Sequence, residues 1–264
     1  MSNGRTFSGF PAPQGLYDPA CEHDSCGVGF VVNIDGRPDH GIVEKGIRVL
    51  KNLEHRGAIG GDLTTGDGAG ILFQLPDGFF RQRCSDLGIA LPHSGSYGVG
   101  MFFLPQEADI RERLMEMAER KIVHEGLRFL GWRAVPVQSG AIAGQARAQQ
   151  PCILQCFAAG EASDPMALDR RLYLVRREME QAASEWPGDE SVFYVPSFSC
   201  RTIVYKGLLT GPQLPLFYPD LLEEDLVSAL AVIHQRYSTN TFPSWELAQP
   251  FRHLAHNGEI NTLR

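Results

Sequence analysis

Four stretches of this chain crowd polar side chains and glycines together in ways that could support chemistry. The first is Asp24-Ser25-Cys26-Gly27-Val28-Gly29-Phe30. A cysteine at the head of an apolar, β-branched run presents its thiol at a strand end, and the glycine beside it lets backbone approach a ligand closely. A half-buried structural cysteine explains the same segment. The second is His55-Arg56-Gly57, leading into Thr65-Gly66-Asp67-Gly68-Ala69-Gly70. Its glycines either let backbone pass beneath a substrate or make a flexible surface loop, and the Gly-Lys-Ser/Thr ending of a phosphate loop is missing. The third is His234-Gln235-Arg236-Tyr237-Ser238-Thr239, directly after an apolar run that ends at Ile233. An arginine at a strand end is a bidentate fork for a carboxylate, and is also common in surface ion pairs. The fourth is Ala255-His256-Asn257-Gly258-Glu259. An asparagine amide and a neighbouring glycine N–H converge on a developing oxyanion, although Asn-Gly is equally an ordinary turn. Taken singly, each stretch has a sufficient structural explanation.

The elements that must position these residues are legible from periodicity. Gly27–Ile34 reads as a strand ending at Asp35-Gly36, a hairpin-type turn. Ile42, Val43, Ile47, Leu50 and Leu53 recur at helical spacing and predict a helix over Ile42–Leu53. Arg56–Gly70 is too rich in glycine to be anything but a loop. Strands are expected at Ile71–Leu75, Gly98–Leu104, Cys152–Phe157 and Thr202–Tyr205, and helices over Ile110–Glu125 and over the segment carrying Leu168, Leu172, Val175 and Met179 on one face. Strands and helices do not alternate regularly, which favours an α+β layered fold over a doubly wound sheet. No Pro/Gly-rich linker divides the chain from Cys26 onward, so one domain is expected there. Met1 to about Asp24 has no period and reads as an extended leader.

Composition narrows the function classes. The chain has 264 residues, 43% hydrophobic and 21% charged, which suits a globular domain with a sizeable core. A net charge of −7 without a basic run argues against nucleic acid as a partner. The longest apolar run, Leu226–Ile233, is too short to span a bilayer, and the first residues lack the apolar core of an export signal. Six cysteines without a CxxC pair fit neither a disulfide framework nor a zinc site, and suggest the reduced thiols of a cytoplasmic protein. Cys152 and Cys156 should share one face of a strand as small buried apolar groups.

In combination, the order Cys-Gly-Val-Gly-Phe, His-Arg-Gly, Arg-Tyr-Ser-Thr and His-Asn-Gly-Glu resembles the class II glutamine amidotransferases, which are N-terminal nucleophile hydrolases. Lys45-Gly46-Ile47 leading to His55-Arg56-Gly57, the Thr65–Gly70 motif, and the run from His234 to Thr262 are most similar to the glutamate synthase group of that family. The resemblance extends from about Leu16 to Arg264, including the residues between Gly70 and Val232 that smaller amidotransferases lack. It implies a four-layer α/β/β/α sandwich with two stacked antiparallel sheets, truncated at its C-terminal end, preceded by a propeptide at residues 1–25. It also implies that Cys26 is the nucleophile, that Asn257 and Gly258 stabilise the oxyanion, and that Arg56, Arg236 and Thr239 bind substrate. The substrate would be L-glutamine, hydrolysed through a cysteine thioester to glutamate and ammonia.

The same resemblance implies that the ammonia passes to a synthase domain outside this chain, holding FMN and an iron–sulfur cluster, which reductively aminates 2-oxoglutarate. A small NAD(P)H-oxidising subunit is a further implied partner, and the chain itself would hold no cofactor or metal. A free cysteine N-terminus carries an amine of pKa about 7.7–8.0 beside a thiol of about 8.5, so the amine can serve as the base. That requires residues 1–25 to leave, by action of the cysteine itself. The family places an aspartate for the substrate amine some tens of residues after His-Asn-Gly, whereas this sequence stops at Arg264, so weak glutaminase activity is expected of residues 1–264 alone. Gly60–Thr64 departs from the lysine-containing loop of the family. The competing readings are another class II amidotransferase and a non-catalytic glutamine-binding module.

Overall fold

The computed structural model describes residues 14–15, 27–57, 59–60, 62, 64–160, 164–185, 193–236 and 242–252. These form two four-stranded antiparallel sheets with helices packed on them. The first sheet has the order β1 (Val28–Val32), β8 (Leu230–Gln235), β2 (Ala69–Gln74), β7 (Thr202–Gly207). The second has the order β4 (Arg128–Ala134), β5 (Cys152–Ala159), β3 (Tyr97–Leu104), β6 (Tyr194–Ser199). The helices are α1 (His40–Asn52), α2 (Asp77–Ser85), α3 (Ala108–His124), α4 (Gly144–Ala148), α5 (Pro165–Ser184) and α6 (Gln213–Phe217). Two stacked antiparallel sheets with helices are the α+β sandwich of an N-terminal nucleophile hydrolase, as expected.

Period-2 alternation sorts the side chains of the second sheet. Val99, Met101 and Phe103 of β3 join the core shared with the first sheet, while Phe102 and Leu104 face the α3 and α5 side with Leu114, Met117, Leu172 and Val175. All four residues expected on the buried face of α5, namely Leu168, Leu172, Val175 and Met179, are buried. Helix α1 lies on the first sheet. Its N-cap Asp39 accepts a 2.6 Å hydrogen bond from Gly41 N, and Gly46 lets the helix come so close that a Cβ there would sit 3.0 Å from Ala231 Cβ.

Some elements escape the periodicity reading. Helix α2 is short: its buried residues Phe79, Phe80 and Cys84 make a single i, i+4 step, too little to show a period. Strand β6 contains Pro196, which removes a ladder donor and is tolerated because β6 is an edge strand. Strand β4 alternates weakly, since Gly131 and two arginines interrupt its apolar residues.

A buried polar network ties the sheets together. Arg133 Nη1 and Nη2 each donate at 2.8 Å to Asp220, and Nη1 also donates to Gln155 Oε1 at 2.7 Å. Tyr205 Oη, from the first sheet, donates to Asp220 Oδ2 at 2.9 Å and accepts from Gln155 Nε2 at 2.9 Å. The Arg133 and Asp220 side chains are 6% and 3% exposed, so each charge depends on the other for solvation. Asp220→Ala is therefore expected to lower unfolding free energy by about 3–5 kcal/mol, because it strands the guanidinium. Arg83→Ala, which breaks more exposed pairs to Glu223 and Asp225, should change it by no more than about 1 kcal/mol. Urea unfolding midpoints of the two variants test the contrast.

Candidate active site

The register of the first sheet brings the sequence motifs to one end of it. Val28 pairs with His234, His234 with Gly70, and Gly70 with Lys206. The start of β1, the end of β8, the start of β2 and the end of β7 therefore lie side by side, spaced by ordinary interstrand distances. Gly27, directly after Cys26, accepts a 2.6 Å hydrogen bond from Gln235 N, and a Cβ on Gly27 would overlap Gln235 O. Arg236 N donates to Gly68 O at 2.8 Å, which fastens the Arg-Tyr-Ser-Thr stretch to the Thr-Gly-Asp-Gly motif.

The His-Arg-Gly stretch reaches the same corner from the α1 side. Arg56 closes a 3₁₀ turn, Glu54–Arg56, just after α1, and is half-buried. A Cβ on Gly57 would overlap Gln235 Nε2 and lie 2.8 Å from its Cδ, and a Cβ on Gly211 would lie 3.0 Å from Gln235 Oε1. The buried Gln235 side chain is thus the wedge that seats the Arg56–Gly57 turn beside Arg236. Sequence reasoning passed over Gln235, although its place between His234 and Arg236 in the motif was the available signal.

Arg236 is buried and its Nη1 donates to Asp67 O at 3.3 Å. Burial lowers its pKa and the Asp67 carboxylate raises it; a guanidinium stays charged under both influences. A buried fork of fixed charge next to the start of β1 is suited to an anionic group.

At Gly68 and Gly70 the glycine-rich segment is packed against protein and is not a free surface loop. Its floor carries the protein's own residues 245–250. A Cβ on Gly68 would meet Ala248 Cβ at 3.0 Å, one on Gly70 would overlap Gln249 O, and one on Gly207 would overlap the Trp245 ring. Upstream, Asp62 accepts from Thr65 Oγ1 at 2.5 Å, from Thr65 N at 2.8 Å and from Thr64 N at 3.0 Å. It also accepts from Gln145 N at 3.2 Å, at the start of α4. These bonds, the Thr65 hydroxyl foremost, hold the Asp62 carboxyl well below the usual carboxylate range. The Gly60–Thr64 variation is thus pinned to α4 by its acidic residue.

Cys26, Thr239, Asn257 and Gly258 lie outside the described residues, as does nearly all of the 1–25 leader. The structure brings together Gly27, Arg236 and the 242–252 segment, of which only Gly27 directly adjoins one of these residues. Of the four described cysteines, Cys200 shares the Asp169 carboxylate with Arg252. Burial pushes the Cys84 thiol up to about 11, the Cys200 thiol up to about 12 and the Cys156 thiol well above its ordinary value, and it raises Cys152 as well. They are distributed over α2, β5 and the β6–β7 turn. Cys152 and Cys156 do share one face of β5, against the α3–α5 core. Among the described residues, His124 and Glu125 at the C-terminal end of α3 approach Glu178 on α5, where Glu178 already pairs with Lys121 at 3.6 Å. No helix of the described residues is long and apolar enough to cross a membrane.

Two stacked antiparallel sheets, with Gly27 at the head of β1 beside a buried arginine, define a class. The family model for class II glutamine amidotransferases matches residues 26–264, and the chain belongs to that family. It is 47% identical over 262 residues to "Glutamate synthase [NADPH] large chain" of Bacillus subtilis (strain 168), which covers 98% of this chain and 17% of that protein. It is 45% identical over 245 residues to "Ferredoxin-dependent glutamate synthase 2" of Synechocystis sp. (strain ATCC 27184 / PCC 6803 / Kazusa), covering 92% of this chain and 15% of that protein. With "Glutamate synthase [NADH]" of Schizosaccharomyces pombe (strain 972 / ATCC 24843) it shares 42% identity over 261 residues, 96% of this chain and 12% of that protein. The chain thus spans 17%, 15% and 12% of the lengths of these relatives.

The glycine floor makes a direct prediction. Gly70→Ala would press a methyl against Gln249 O, 2.6 Å from Lys206 Cβ and 3.0 Å from Pro250 Cδ, and should cost at least about 1–3 kcal/mol of stability. Gly78→Ala, in α2 with nothing within 4 Å of the added methyl, should instead stabilise by about 0.4–1 kcal/mol. Thermal unfolding of the pair gives shifts of opposite sign.

Proposed function

We propose that this chain is the glutaminase part of a glutamate synthase, with Cys26 as an N-terminal nucleophile. The observation that carries the reading is the juxtaposition of Gly27 with Gln235–Arg236, which sets the residue after Cys26 beside a buried carboxylate fork. The family match that begins at residue 26 supports the same boundary. Removal of residues 1–25 frees the Cys26 amine, which takes the thiol proton directly or through a water. The thiolate attacks the side-chain amide carbon of L-glutamine, and the negative charge moves onto the carbonyl oxygen. The Asn257 side chain and the Gly258 N–H donate to that oxyanion, each donor contributing about 3–4 kcal/mol. The C–N bond breaks, the leaving nitrogen collects the proton and departs as ammonia, and a γ-glutamyl thioester remains on Cys26. Water then attacks the thioester, releasing glutamate and restoring the thiol.

Arg236 binds the substrate α-carboxylate, with Thr239 beside it, and Arg56 supports the nucleophile strand and closes the pocket. The ammonia passes to synthase domains for reductive amination of 2-oxoglutarate, and the FMN and iron–sulfur cluster of such a reaction belong to those domains. A small NAD(P)H-oxidising subunit is a further partner of this reading. The relatives' names carry three electron donors, NADPH, ferredoxin and NADH, and the proposal favours none of them. Four free, protonated thiols suit a reducing cytoplasm.

N-terminal sequencing and glutamine hydrolysis of the complete protein test the reading. The mature chain should begin at Cys26, and Cys26→Ala should abolish hydrolysis and retain the leader. Arg236→Met should raise KM for glutamine about 10- to 150-fold, the equivalent of a charge-assisted hydrogen bond of about 1.5–3 kcal/mol. An active protein that keeps Met1–Ser25 would refute the mechanism, and an inactive one that keeps them would favour a non-catalytic glutamine-binding module.

A further inference from the structure

A lysine inside a strand is unusual, because its ammonium loses its hydration on burial and persists only where protein groups replace it. Lys206 of β7 is fully buried. Its Nζ donates to Ala248 O at 2.7 Å, to Glu246 O at 2.8 Å and to Tyr194 Oη at 3.1 Å. The rings of Phe251 and Tyr194 lie 4.5 and 4.6 Å away and add two cation–π contacts. Burial pulls its pKa well down, the Glu246 carboxylate opposes that pull, and the Arg176 and Arg236 guanidinium groups add to it. The two carbonyls can only accept, so the N–H bonds of Lys206 hold them as an ammonium or as an amine.

What the lysine holds stands directly against the turn that carries Arg236. A Cβ on Gly68 would lie 3.0 Å from Ala248 Cβ, 3.1 Å from Ala248 Cα and 3.6 Å from Arg236 Cβ, so Ala248 and Arg236 flank the same side of Gly68. Gly68 has a φ of 133°, a conformation that glycine adopts without strain. Its carbonyl accepts from Arg236 N at 2.8 Å, and the carbonyl of Asp67, one residue earlier, accepts from Arg236 Nη1 at 3.3 Å. The position of residues 67–68 therefore sets both the main chain and the guanidinium of Arg236. Ala248 is packed onto that pair of residues, and its own carbonyl is fixed by Lys206. A continuous line of contacts thus runs from Lys206 Nζ through Ala248 and Gly68 to Arg236.

We propose that Lys206 is a positioning residue for Arg236: by holding the carbonyls of Glu246 and Ala248 it keeps Ala248 against Gly68, and so fixes the aim of the guanidinium. The inference rests on the glutaminase reading, in which Arg236 binds the substrate α-carboxylate, and adds to it a lysine whose own hydrogen bonds all go to protein. A bidentate fork is sensitive to aim, since both of its N–H···O bonds must be close to linear. With the clamp gone, the guanidinium keeps its charge and loses its orientation. The loss should fall on glutamine binding.

The test uses the complete protein with Lys206→Met, Tyr194→Phe and Arg236→Met, alone and combined. Lys206→Met removes the N–H donors at similar length, and Tyr194→Phe removes one partner of the lysine and keeps the ring. Lys206→Met should raise KM for glutamine about tenfold, the lower end of losing a charge-assisted hydrogen bond, with kcat within about threefold of wild type. In the Arg236→Met background the same substitution should change KM less than about twofold, because no fork is left to aim. Tyr194→Phe should raise KM about threefold with the same dependence on Arg236, and it carries the test alone if Lys206→Met does not fold. A wild-type KM in Lys206→Met, or in Tyr194→Phe where the lysine variant does not fold, overturns the proposal. An equal rise in KM with and without Arg236 overturns it too, as does a fall in kcat at unchanged KM, because the lysine would then act through another part of the site. A wild-type protein that hydrolyses no glutamine removes the underlying reading. An active wild type whose KM is unchanged by Arg236→Met removes Arg236 as the fork and the proposal with it, whereas a raised KM in Arg236→Met beside an unchanged one in Lys206→Met removes only the lysine's role.

Discussion

The antiparallel register of the first sheet is the constraint on which the site depends. Pairing of Val28 with His234, His234 with Gly70 and Gly70 with Lys206 puts four chain segments far apart in sequence at one sheet end. Because side chains alternate faces with period 2, a slip of one residue between β1 and β8 would exchange the environments of His234 and Gln235. Gln235 would then leave the Arg56–Gly57 turn unsupported, and Arg236 would turn away from Asp67. The hydrophobic pattern resists such a slip, since Ala231 and Ile233 are committed to the core with Ile71.

Close packing at this end is built from absent side chains. Gly27 fits under Gln235 O, Gly57 beside the Gln235 amide, and Gly70 under Gln249 O, and at each a methyl group would overlap the neighbour. Glycine carries an entropic penalty in a strand, so its concentration here marks places where main chain must approach main chain. The buried Lys206 serves the same crossing from the other direction. The remote Arg133–Asp220–Tyr205–Gln155 network holds the second sheet to the first, so the sheet end rests on a rigid scaffold.

Much of this was readable from the sequence. Helix α1 was placed within two residues at its start, and the core face of α5 was read residue by residue, because long amphipathic helices repeat their signal every turn. Strands β2, β3, β5 and β7 were found from short apolar runs. Helix α2 and strands β4 and β6 were not, because a nine-residue helix gives too few turns for a period and because Gly131 and Pro196 interrupt the strand pattern. Arg56 and Arg236 each read as an ordinary surface arginine on their own, and only the combination of their motifs with the others points to a shared site. Lys206 and Gln235 were not singled out: a lone lysine or glutamine in a strand carries no motif, and its importance appears only when its partners are brought in by folding.

In the proposed mechanism the thiol of Cys26, the residue before Gly27, forms the covalent intermediate. Acid quenching of the complete protein during steady-state turnover of glutamine, followed by proteolysis and mass spectrometry at low pH, tests it most directly. A hydroxylamine-sensitive γ-glutamyl adduct is expected on the peptide whose first residue is Cys26, and none on Cys84, Cys152, Cys156 or Cys200. Sustained turnover with the adduct on one of those four cysteines, or with Cys26 still joined to Ser25, would contradict it.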